Sequence, residues 1–204
     1  MSELVAIWVV NTGYEIPDIL SLSAKYLRVS FLHLTDDVTY FETPTIRLLH
    51  KCAIFLTVRG YFNVQFLYLH TKGISYSDIN YSAVVSWRQM MLYFLVGNHR
   101  RPWHLLSSGE FDTVGILTGI SASGKYCYRG NMWWASSSYL SKLPQVTYNK
   151  QAAEDWLFQV PAGTRHRNYT LHNTNNDIYY NVHLKSDYIY KNDMKKIINK
   201  MHCL

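Results

Sequence analysis

The sequence predicts an α/β domain with a mixed central sheet flanked by helices. Two observations carry the prediction. Short, continuous apolar runs that stop at polar turns read as buried strands, and they alternate with longer segments whose apolar residues recur at helical spacing. No internal repeat, heptad register or linker divides the 204 residues, so residues 1–204 are read as one domain.

Residues 4–10 form an apolar, β-branched run that ends at Asn11-Thr12-Gly13, as a buried strand entering a turn would. Residues 17–27 carry apolar positions at helical spacing, and residues 29–34 have strand composition and stop at Asp36-Asp37. Thr43-Pro44 opens a helix with proline near its start, its stripe supplied by Ile46, Leu48, Leu49, Ala53 and Ile54. Residues 64–69 read as a strand that delivers His70-Thr71-Lys72-Gly73 to its C-terminal end, where open α/β sheets place their ligand loops. A polar cluster leads into a helix over residues 81–96, and Arg100-Arg101 is expected in a loop. Residues 111–117 and 125–129 read as strands, the second at an edge and leading into Gly130-Asn131. Residues 132–143 are expected to be a helix closed by Pro144, and residues 152–158 a short helix. The remainder is polar and aromatic, with strand character near residues 178–184 and an amphipathic, basic-faced helix at residues 192–201.

A hydrophobic content of 48% is ample for a packed core and excludes disorder. The apolar runs are far shorter than the roughly 20 residues that span a bilayer. Glu3 stands where a signal peptide would be basic, so a cytoplasmic protein without membrane insertion is expected. Cys52, Cys127 and Cys203 are scattered and lack zinc spacing, and read as two core thiols and a tail thiol. A net charge of +6 suits a nucleic acid, an anionic membrane surface or a phosphate-bearing small molecule. With no compact nucleic-acid signature, and with 17 Tyr and 6 Trp spread along the whole chain as core residues would be, nucleic acid is not the expected partner.

Four segments together carry a resemblance. Tyr68-Leu69-His70-Thr71-Lys72-Gly73, Trp87-Arg88 with Met90-Met91, Gly130-Asn131-Met132-Trp133-Trp134-Ala135 and Glu154-Asp155-Trp156-Leu157 follow the order and rough spacing of small glycosyltransferases of the GT-A (nucleotide-diphospho-sugar transferase) fold. These include enzymes that build viral capsid glycans. The resemblance runs through residues 1–160. It implies a transferase that moves a hexose or deoxyhexose, of the glucose or rhamnose type, from a UDP-sugar to a glycan acceptor with help from Mn2+ or Mg2+. The Asp-x-Asp usual in such enzymes is missing at the strand end, which leaves a metal-independent transferase as the alternative; a carbohydrate- or nucleic-acid-binding module is the non-catalytic one.

The residues themselves leave both functional and structural readings open. Asp78, the carboxylate nearest His70 and Lys72, suits a metal ligand or a helix cap. Lys72 suits a phosphate contact or an exposed turn. His70 and His172 are candidate metal or phosphate contacts, or hydrogen-bonded parts of the fold. Thr12, Gly13 and Tyr14, after the first strand, are the uridine-side candidates. Gly130 and Asn131 suit donor hydroxyls, and from adjacent helical positions Trp133 and Trp134 cannot both face one core, so one is expected in a sugar cleft. Glu154 and Asp155 suit a general base or acceptor contact, or first-turn acids favoured by the helix dipole.

Overall fold

The computed structural model describes residues 7–11, 29–33, 37–70, 81–174, 181–183 and 188. Strands β1 (Ile7–Asn11) and β2 (Val29–His33) pair in parallel, with Ile7 opposite Val29 and Asn11 opposite His33. Both lie where the apolar runs place them; the helix expected at residues 17–27 and the one at residues 192–201 lie outside the described residues, as does most of the segment at 178–184.

Helix α1 (Thr43–Val58) starts with Pro44 in its first turn, where the missing N–H costs nothing. Its buried residues Thr43, Ile46, His50 and Ala53 form one stripe at helical spacing. Strand β3 (Gln65–Tyr68) follows, then α2 (Tyr81–Leu92), which continues through a π-helical turn at Tyr93–Gly97. Arg100 and Arg101 are not in a loop: they open helix α3 (Arg100–Ser107), whose Pro102 sits in the first turn and is therefore tolerated.

The strand expected over residues 111–117 forms, but it is shorter. Strand β4 (Thr113–Gly115) ends at a kink where Leu117 takes a positive φ of 54°. Strand β5 (Thr118–Ile120) then pairs antiparallel with β6 (Tyr126–Tyr128) as a separate hairpin. The largest correction concerns residues 132–143. They are not one helix; Trp133–Ser136 is strand β7, and only Ser137–Leu140 is helical (α4), started by the Ser136 hydroxyl accepting from the Tyr139 N–H. Helix α5 (Lys150–Asp155), capped by Asn149, runs into a 3-10 turn at Trp156–Phe158, and Asn168–Thr170 is β8.

The main sheet has the order β3-β7-β4-β8. Strand β7 is antiparallel to both β3 and β4, and β8 is parallel to β4, so three strands run one way and β7 the other. The sheet is mixed, as expected. Side-chain alternation sends its two faces into two cores. Tyr68, Trp133 and Ala135 join Ile46 and Ala53 of α1, Tyr139 and Leu140 of α4, and Trp156. Leu67 and Trp134 lie on the other face against Trp87, Met90 and Met91 of α2 and Phe94 and Leu95 of its π-helical extension. Helices therefore cover the sheet on both sides. Among the described residues no helix is long and apolar enough to cross a membrane.

Candidate functional site

Two polar features meet around helix α5. The first lies at the C-terminal end of β3. The Glu42 carboxylate, just before α1, does not cap that helix. It accepts instead from the Tyr68 hydroxyl at 3.3 Å and from the Asn131 side-chain amide, and lies 3.0 Å from His70 Nδ1. Burial first, then the Glu42 charge and hydrogen bond, hold the Tyr68 phenol well above its usual range, so Tyr68 stays a donor. The other ring nitrogen of His70 lies 2.7 Å from the Gly130 carbonyl. A carbonyl only accepts, so Nε2 donates there, and the ring is held between the Gly130 carbonyl and the Glu42 carboxylate.

The turn that presents Asn131 is strained. Gly130 has φ 91° and Asn131 φ 49°, and Phe41, beside Glu42, has φ 48°. Such backbone costs about 1–3 kcal/mol per non-glycine residue and persists only where surrounding contacts over-determine it. Here they do. Asn131 is buried, its amide donates to Glu42 and to the Ala153 carbonyl, and its Oδ1 accepts from the Trp133 indole at 3.0 Å.

The bond to Ala153 ties this node to α5, which also forms a wall of the second feature, a cleft of about 740 Å3. Asp155 lines it, together with Thr118, Tyr126, Phe158, Gln159, His166 and Asn168 among others. The Asp155 side chain is nearly enclosed, the residue being 2% exposed. It accepts from the Ser123 hydroxyl, at the tip of the β5–β6 hairpin, and weakly from Gln151 Nε2 at 3.4 Å. Glu154 accepts from the same Gln151 nitrogen at 3.4 Å. The tip is braced by Ser121 Oγ, 2.9 Å from Ser123 Oγ.

Across the cleft, His166 stacks on Tyr139 at 4.6 Å and bonds Thr113 Oγ1 through Nε2 at 2.8 Å. Burial lowers its pKa from 6.5 to about 4, with the nearby Asp112 charge opposing, so the ring is neutral at pH 7. Asp112 itself is paired with Arg167 at 2.8 Å. Burial would raise its pKa, but the hydrogen bonds and charge of Arg167 outweigh this and leave it lowered. A cleft with one carboxylate, one lysine (Lys125), a neutral imidazole, two side-chain amides and aromatic edges suits hydroxyl-rich ligands.

Of the sequence candidates, the structure brings together His70, Gly130 and Asn131 at one node and places Glu154 and Asp155 on the helix joined to it. Trp133 and Trp134 alternate across β7 rather than crowding one helix face. Trp133 is buried between Tyr68 and Trp156, and Trp134 is half-buried with its indole donating to the Leu95 carbonyl at 2.8 Å. Core packing accounts for both. His172 stacks on Phe94 at 5.1 Å, and the backbone N–H of buried His183 donates to Ser86 Oγ. Thr12, Gly13, Tyr14, Lys72 and Asp78 lie outside the described residues.

Among the described residues no three His, Cys, Asp or Glu side chains converge as metal ligands. The donor set at β3 is tied up within the protein: His70 lies between the Glu42 and Gly130 oxygens, and Glu42 also accepts from Tyr68 and Asn131. Glu42, Ser123 and His166 are the residues that sequence reasoning missed. Glu42 reads locally only as a residue before Pro44, and its partner Asn131 is 89 positions away.

No family model matches this chain, and no curated protein or solved structure is significantly similar to it.

Proposed function

We propose that the protein is a GT-A-type glycosyltransferase that moves a hexose or deoxyhexose from a UDP-sugar to a hydroxyl of a glycan acceptor. The observation that supports this reading best is the enclosed Asp155 carboxylate on the wall of a cleft whose other groups are mostly uncharged and suited to sugar hydroxyls. An acceptor hydroxyl entering the cleft takes the place of the Ser123 hydroxyl on Asp155. That hydroxyl attacks the anomeric carbon, a new C–O bond forms, and the bond from that carbon to the UDP oxygen breaks. Its proton passes to Asp155 or to the departing phosphate. Gln151 steadies Asp155 from the same helix, its amide shared with Glu154.

The donor belongs at the C-terminal end of β3, beside His70, Gly130 and Asn131, with Thr12, Gly13, Tyr14 and Lys72 as its uridine and phosphate contacts. Mn2+ or Mg2+ enters this proposal through Asp78 and not through His70, whose ring nitrogens are both engaged. Bound there, the ion would offset charge on the leaving diphosphate. The engagement of His70 favours, as second reading, a transferase that works without a metal.

Thermal unfolding with UDP, GDP and CMP, each with manganese and with EDTA, tests the donor side. UDP raises the midpoint most, because a ligand selective for the native state stabilises it by mass action. Loss of that rise in EDTA supports the metal-assisted form, and an unchanged rise the metal-independent one. Equal shifts for the three nucleotides, or none, sink the UDP assignment.

A further inference from the structure

Helix α1 is apolar on two sides, and only one of them is used by the core. Beside the buried stripe of Ile46, His50 and Ala53, the residues Lys51, Ile54, Phe55 and Val58 form a second stripe at the same spacing, and all four are exposed. The turn after the helix extends it with Arg59, Tyr61 and Phe62, also exposed, and Val58 reaches 80% exposure.

The backbone beneath these side chains is pinned. The Tyr61 N–H donates to the Leu56 carbonyl at 2.9 Å, the buried Ser137 hydroxyl lies 3.1 Å from both the Tyr61 and Phe62 carbonyls, and the Ser137 N–H donates to the Val64 carbonyl at 2.8 Å. The turn is thus fastened to α4 through its main chain while its aromatic rings stand in solvent. Burying apolar side chains is the main favourable term in folding, so a rigid element that holds five of them outward suits contact with a partner.

Charge says which kind. Between Thr43 and Val64 the sequence carries no Asp or Glu; Lys51 and Arg59 are exposed, while Arg47 is turned inward to the Val146 carbonyl and the Tyr148 ring. The Arg59 guanidinium lies over the Phe55 ring at 5.2 Å, so a cation and an aromatic ring share one edge of the patch. Aromatic and aliphatic side chains flanked by basic ones, on a helix too short to span, suit the headgroup level of a bilayer with negative lipids. We infer that this face of α1 and the turn after it dock the protein peripherally on an anionic lipid membrane. This inference is independent of the transferase reading.

Vesicle flotation of the full chain tests it, with phosphatidylcholine alone and with phosphatidylserine added. The protein floats with the anionic vesicles, and added salt weakens the binding because the basic contribution is screened. A Phe55→Ser, Val58→Ser, Phe62→Ser variant keeps the wild-type thermal midpoint, since these side chains are exposed, and binds at least about tenfold more weakly. A Lys51→Glu, Arg59→Glu variant, which leaves the apolar residues in place, loses the preference for phosphatidylserine. Flotation of the triple variant at wild-type level would assign binding to another basic segment and overturn the inference. So would failure of the wild type to float, or concentration-dependent dimerisation that the triple variant abolishes, which would make the patch an interface between two copies of the chain.

Discussion

At the scale of single residues, Asp155 and Glu42 are both carboxylates held by protein donors, and they differ in what a substitution can reveal. Glu42 is saturated by Tyr68, His70 and Asn131, so its replacement tests the fold more than the chemistry. Asp155 has one strong partner, the Ser123 hydroxyl, which can rotate to accept as readily as to donate. Asp155→Asn therefore keeps the local hydrogen bonds and removes the charge. The variant is expected to fold and bind UDP as the wild type does, by calorimetry, while sugar transfer falls about 10²–10⁴-fold. Unchanged turnover would remove Asp155 from the reaction, and loss of the cooperative thermal transition would assign it a structural role. The Glu154-Asp155 pair stands out in the sequence, but the two acids close helix α5 rather than open it, so the helix dipole does not favour them as first-turn acids. Glu42 does not stand out, because its three partners come from β3, from the residue just past it, and from the turn before β7.

Elements show where reading by pattern fails. Residues 64–69 were long enough, and β-branched or aromatic enough, to read as a strand, and β3 lies within them. Residues 132–143 read as a helix closed by Pro144. In the structure β7 lies between β3 and β4, and helices cover both faces of the sheet. Such a strand shows no polar alternation, and a short apolar run of this kind cannot be told from a helix by period alone. Its neighbour β4 shows how tightly the sheet is specified. A Cβ on Gly115 would lie 2.5 Å from the Tyr128 ring, which folds over the glycine. Tyr128 cannot easily give way, because its hydroxyl bonds Thr113 Oγ1 and the Tyr169 carbonyl on either side. Gly115→Ala is expected to destabilise the protein by about 1–3 kcal/mol, read as a lower denaturant midpoint. A neutral result would mean that the hairpin carrying Tyr128 moves independently of β4.

Over the whole molecule, the polar seam beneath the cleft couples stability to pH. His166 titrates near 6.5 when unfolded and near 4 in the folded protein, its ring desolvated against Tyr139 and Phe158. Above pH 6.5 it is neutral in both states and contributes nothing to the pH dependence. Between 6.5 and 4 the unfolded chain takes up a proton that the folded protein refuses, so stability falls as pH falls; below 4 both states are protonated and the loss stops growing. A shift of this size corresponds to about 3 kcal/mol, and partial exposure of the ring reduces the expected loss to roughly 1–2 kcal/mol. Asp112 acts at lower pH. Its folded pKa lies below 3.8, so the stability it contributes is present above that value and disappears only as pH falls through the folded pKa. His50, whose pKa is also lowered by burial, adds a slope of the same sign as His166. His166→Gln keeps a side chain able to bond Thr113 and removes the titrating ring. Guanidinium unfolding at intervals from pH 7 to pH 4 should show a shallower decline in the variant, with the His50 contribution remaining. Equal slopes in the two proteins would mean that His166 takes up its proton in the folded state as easily as in the unfolded one, and that the floor of the cleft is open to water.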